Sequence, residues 1–170
     1  MRICGYRIRD HIRLLGPLFG FVAAVWVIRL IIGALGLGFV RLFSVTGAYA
    51  LAILLAAVLI HTRGFGSYTN VVAASVLLVA WGQLLIVLAI VFAVLTGTNN
   101  IFTAPQYSFP RDDSHHLKHI LGQLTYGVGA GILFGAAMGC LLLWILRMLV
   151  PPSSPGRLGS GRLGSGKLVD

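Results

Sequence analysis

Two uncharged stretches set the terms for this chain. Val71 to Leu95 and Ile120 to Leu146 contain no Asp, Glu, Lys or Arg, and Leu42 to Ile60 is a third such run. About 20 apolar residues in a helix cross the hydrocarbon core of a bilayer. In lipid, only helices or closed barrels satisfy every backbone polar group. Runs of this length, without the strict alternation of a barrel strand, predict membrane-spanning helices. A fourth run begins near Leu14; it is uncharged to Ile28, interrupted by Arg29, and resumes from Leu30 to Val40.

Composition agrees with a chain made for lipid. Hydrophobic residues are 58% and charged residues 10%, against about 45–50% and about 25% in soluble domains. The net charge of +9 would suggest nucleic acid in a soluble protein. Here the basic residues flank the apolar runs, which reads as a topology signal and as contacts to anionic lipid; no nucleic acid is expected as a partner. Cys4 and Cys140 have no metal-ligand spacing and read as free thiols.

The predicted organisation is a basic cytoplasmic leader over 1–13, a four-span domain over 14–150 and a Gly/Ser-rich basic tail over 151–170. The spans are placed at about 14–35, 42–60, 71–95 and 118–147. The leader resembles a signal peptide in its charges, but the apolar part is too long and lacks a close cleavage site, so it is kept as an uncleaved first span. Pro105 and Pro110 keep the longest connector from being helical. Asp112, Asp113 and Ser114 offer cap chemistry for a last helix. A helix from Asp113 to Val150 would be roughly 55 Å long at 1.5 Å per residue, so its first turns are expected to project into water. Ordering the spans up and down puts nine basic residues on the side of the N-terminus and four on the other. That asymmetry predicts both termini in the cytoplasm.

The last span carries Gly127, Gly131, Gly135 and Gly139 at every fourth residue. Positions four apart share one helix face. Random placement of the glycines would give such a set only about 0.04 times per chain, so the spacing is read as a glycine zipper, a small-xxx-small packing groove. Ser44, Ala48, Ala52 and Ala56 form a second small face, at a spacing expected about once by chance. The second and fourth spans run in the same direction, and their small faces are predicted to meet as a parallel pair.

Polar residues in such a chain are the candidates for chemistry. Asp112, His115, His116 and His119 share one face of a helix at three- and four-residue spacing, a pattern able to hold a divalent transition metal. The competing reading is a solvated helix start, and it is preferred. No cofactor is predicted beyond that metal alternative. Arg29 lies within the first span; it either snorkels to the head groups or forms a salt bridge to Asp112 or Asp113 that clamps the connector. Gln83 is the one strongly polar side chain in the middle of the third span, where a hydrogen bond to another helix is expected.

These features give an all-α integral membrane four-helix bundle. The preferred function is a non-enzymatic helix-packing scaffold or accessory subunit, partnered by the bilayer and by other membrane subunits or a second copy. The first alternative is a small oligomeric channel or transporter. The second is a metal-binding or redox membrane protein using residues 112–119. No P-loop, hydrolase elbow or kinase set is present.

Overall fold

The computed structural model describes residues 2–3, 6–64, 67–104 and 117–150. The architecture is an all-α bundle with four helical spans long and apolar enough to cross a membrane: His11–Ala34, Gly38–Thr62, Tyr68–Thr96 and Leu117–Leu149. Ahead of it, β1 (Arg2–Ile3) and β2 (Tyr6–Arg7) form a two-rung antiparallel ladder. The helices are α1 (Ile8–Ala34), α2 (Val45–Thr62), α3 (Tyr68–Thr96), α4 (Leu117–Gly122) and α5 (Val128–Leu149). A 3₁₀ turn, Gly38–Leu42, precedes α2, and a π-helical turn, Gln123–Gly127, joins α4 to α5.

Local chemistry fixes the ends. At the end of α1, Gly36 takes φ +67°. Its N–H reaches the Gly33 carbonyl, and the Leu37 N–H reaches that of Ile32; this is the Schellman pattern, which needs the left-handed residue that glycine supplies. Gly97 (φ +65°) closes α3 in the same way, with the Thr98 N–H on the Ala93 carbonyl. Ser44 caps α2: its backbone is extended and its Oγ accepts from the Gly47 N–H at 3.3 Å. It therefore stands just outside the helix and not on its packing face. The first helix begins at Ile8, inside the stretch read as a leader, because its backbone runs on past the apolar residues. Pro17 lies inside α1; it deprives the Arg13 carbonyl of its helical partner, a loss that membrane helices tolerate.

The core sits between α2 and α3. Each packs on the other, and α1 and α5 each pack against both. Of the most apolar stretch of each span, 50% is buried inside the bundle for α3 and 44% for the α2 span, but only 22% for the first and 17% for the last. Ala52, Ala56 and Ala57 of α2 are fully buried, as are Val71, Leu78 and Ile90 of α3. Small side chains on α2 let the central pair approach, and the larger aliphatics of α3 fill the space between helices.

Candidate functional site

Polar side chains gather at the end of the bundle where α1 finishes and α2 begins. Arg29, half-buried, donates from Nη1 to the Phe43 carbonyl at 3.1 Å, and its guanidinium lies 5.2 Å from the centre of the Phe102 ring. One side chain thus ties α1 to the entry of α2 and to the first residues of the connector. Asn100 organises those residues: its Nδ2 donates to the Ala89 carbonyl at 2.6 Å and its Oδ1 accepts from the Phe102 N–H at 2.8 Å. Asp112 and Asp113, the salt-bridge partners anticipated for Arg29, lie outside the described residues.

His119 is 6% exposed. It faces inward with Arg29, Ser44, Thr46 and Gln123 around a cavity of about 160 Å³. A solvated helix start would have left it outward. The π-helical turn that follows shifts the phase of α4 relative to α5, so spacing counted back from Gly127 does not locate the face of His119. Asp112, His115 and His116 lie outside the described residues. Among the described residues there is no group of three His, Cys, Asp or Glu able to hold a metal.

A second cavity of about 410 Å³ lies beside the first, between α2, α3 and the last span; Thr46 and Gln123 border both. Its origin is the glycine face. A Cβ on Gly139 would stand 2.7 Å from Val71 Cγ1 and 3.1 Å from Ile53 Cγ2. One on Gly135 would meet Ile53 Cδ1 at 2.5 Å. Here large side chains fill the groove. Toward the other end Gly131 faces Val79 and the Tyr49 hydroxyl, and Gly127 faces the amides of Gln83 and Gln123. A Cβ on either would stand 2.9 Å from its nearest neighbour, so this end is close-packed as well, and both glycines also border the cavity. The atoms of α2 nearest the glycines belong to Tyr49 and Ile53, one position along from Ala48 and Ala52, so the groove receives bulky side chains and not a matching small face. On α3 the partners are Val71, Ser75, Val79 and Gln83, four apart and in reverse order, as two antiparallel helices require. Ala48, Ala52 and Ala56 are buried within the core.

Gln83 is 2% exposed, and its Oε1 has no hydrogen-bond partner among the described residues. Its Nε2 lies toward Gly127 of the last span.

Several polar ties were not anticipated. His11 Nε2 and Asn70 Oδ1 are 3.0 Å apart, both buried, joining α1 to α3. Trp81 Nε1 donates to the Phe19 carbonyl at 3.2 Å while the two rings meet edge to face. At the end of the bundle where α3 begins, Arg147 lies 4.7 Å over the ring of Tyr68. A polar residue near the start of an apolar run was the available signal for His11 and Asn70. A further cleft of about 650 Å³ opens between α1 and α3, bordered by Trp26, Leu30, Leu88 and Phe92. Comparison with known proteins finds no matching family model, no matching curated protein and no matching solved structure.

Proposed function

We propose that the protein is an integral membrane helix-packing subunit that acts by assembling with another transmembrane chain, a second copy included. Within the chain, the Gly127–Gly139 face serves as the glycine zipper that holds the last span to the central pair. That use leaves a different small face for assembly. Gly16, Gly20 and Ala24 recur every fourth residue on α1 and all three are exposed. A Cβ on Gly16 or Gly20 would meet nothing within 4 Å. Small residues four apart allow close approach of a second helix in lipid, where there is no hydrophobic drive for helices to associate. This open face is the observation that carries the reading.

The test uses the openness itself. Gly20→Leu has room in the monomer, so its thermal stability should match that of the parent chain. The mass of the complex released gently from the native membrane should fall toward that of a single chain. If Gly20→Leu leaves the assembled mass unchanged, the reading fails.

A further inference from the structure

We infer that the cavity between α2, α3 and the last span binds a neutral, lipid-soluble carbonyl compound, a free ketone or quinone, whose carbonyl accepts hydrogen bonds from the Gln83 amide nitrogen and the Tyr49 hydroxyl. Both side chains are buried, Gln83 2% exposed and Tyr49 5%, and both line the cavity. The Tyr49 ring is seated against Gly82, where a Cβ would stand 2.6 Å from Cδ1, which holds the hydroxyl in place. Gln83 Nε2 lies 2.9 Å from the position of a Cβ on Gly127, and the Tyr49 hydroxyl oxygen lies 3.3 Å from that of a Cβ on Gly131. These glycines are one helical turn apart, so the two donors meet the same wall. Among the described residues neither Nε2 nor the Tyr49 hydroxyl takes part in a hydrogen bond, and neither is shut off as Gln83 Oε1 is. Donors held in a buried wall without an acceptor are costly, and in a folded protein they call for a partner. Gln123 and Gly127, the ends of the π-helical turn, border the same space; single π-helical turns are frequent at functional sites.

The chemistry of the wall selects the ligand. Because Oε1 is closed off, the Gln83 amide offers the cavity donation and not acceptance. A carbonyl oxygen accepts without bringing a hydrogen that needs an acceptor of its own. None of the described residues lining the cavity carries a charge, so a phosphate or carboxylate head would be buried without a counter-ion. The cavity, about 410 Å³, falls within the roughly 300–1,000 Å³ of small-molecule sites. Ala130 and Phe134 on its border are exposed within the last span, so a ligand enters from the lipid with an apolar body. Gln83 lies midway along α3, whereas the ester carbonyls of a bilayer lie at the edges of a hydrocarbon core about 30 Å thick. Depth therefore favours a free carbonyl compound over the ester of a membrane lipid.

A diazirine-bearing hexadecan-2-one and the hydrocarbon with CH₂ in place of its carbonyl provide the probes. The chain is placed in nanodiscs of an ether-linked phosphatidylcholine, a lipid without carbonyls, and the labelled peptides are identified by mass spectrometry. Each hydrogen bond is worth roughly fivefold in affinity. The ketone should label residues near 46–50 and 130–134 saturably, and roughly twentyfold more than the hydrocarbon at equal membrane concentration, as two such bonds provide. Tyr49→Phe keeps the ring against Gly82 and removes one oxygen; it should lower ketone labelling roughly fivefold, the value of one bond, and leave the hydrocarbon unaffected. Gln83→Leu should lower ketone labelling by a similar factor. Should Gln83→Leu not fold, Tyr49→Phe and the comparison of ketone with hydrocarbon in the parent chain still decide. In nanodiscs of the ester-linked phosphatidylcholine, ketone labelling should persist. Labelling that does not saturate, equal labelling by the two probes, or ketone labelling indifferent to Tyr49→Phe overturns the inference and leaves water as the partner of the two donors. Labelling that disappears in the ester-linked lipid overturns it too and gives the site to the carbonyls of the bilayer itself.

Discussion

Gly139 and Gly129 show how much the same residue type differs with its surroundings. A Cβ on Gly139 runs into Val71 and Ile53, both fully buried and both branched at Cβ, so neither can swing away; a Cβ on Gly129 meets nothing. Overpacking a filled site costs about 1–3 kcal/mol, and Leu brings three more carbons than that Cβ. Gly139→Leu should therefore destabilise the bundle by about 3 kcal/mol, and Gly129→Leu should be neutral or slightly stabilising through lost freedom of the unfolded chain. Reversible unfolding in mixed detergent micelles measures both; equal effects would mean that the glycine face is not the packed one. The sequence made the glycine spacing legible, because four positions at one period stand out from composition. It did not make the complementary residues legible. A groove needs a ridge, and the ridge is built from Ile53, Val71 and Val79, residue types common everywhere in an apolar span.

At the scale of the element, apolarity tells where lipid is and not where a helix starts. The charged residues Arg9, Asp10 and Arg13 read as a leader, yet the helix backbone begins at Ile8; Arg is a good helix former, so charge marks the edge of the apolar run and not the start of the helix. Ser44 has the opposite history: read by spacing as part of a small face, it caps α2 through the Gly47 N–H. A serine before an apolar run is itself a helix-start signal, and here it outweighs an i+4 count expected by chance. Replacing a capping Ser with Ala costs about 1 kcal/mol. Ser44→Ala should lose that much in the same unfolding measurement, while Ser44→Asp, which can still accept from the Gly47 N–H, should retain most of it. Identical losses in the two variants would exclude the cap. The π-helical turn Gln123–Gly127 had no signal in the sequence. That one turn separates the phase of His119 from that of the glycines, which is why spacing alone could not place the histidine.

For the whole molecule, the fold class was legible for a physical reason: apolar runs long enough to cross lipid admit few architectures. The pairing of helices was less so, because in lipid no hydrophobic gradient directs one face inward, and burial was decided by side-chain size and by polar ties such as His11 with Asn70. The order of four candidate spans predicts which segments share a side of the membrane. With four spans, the start of α1, the turn between α2 and α3 and the end of α5 share one side, and the residues between α3 and α4 lie on the other. In that order nine of the thirteen basic residues of the chain fall on the first side, and the excess of Lys and Arg in cytoplasmic segments predicts that this side faces the cytoplasm. Ser67 and Asn99 are exposed positions just before α3 and just after it. In a chain whose two native cysteines are replaced by alanine, Asn99→Cys should react with a membrane-impermeant maleimide in right-side-out vesicles, whereas Ser67→Cys should react only after permeabilisation. Reaction of both before permeabilisation would break the four-span arrangement. The reverse pattern would keep that arrangement and show that charge does not orient it, in which case the cavity bordered by Arg29 and His119 would lie on the cytoplasmic side.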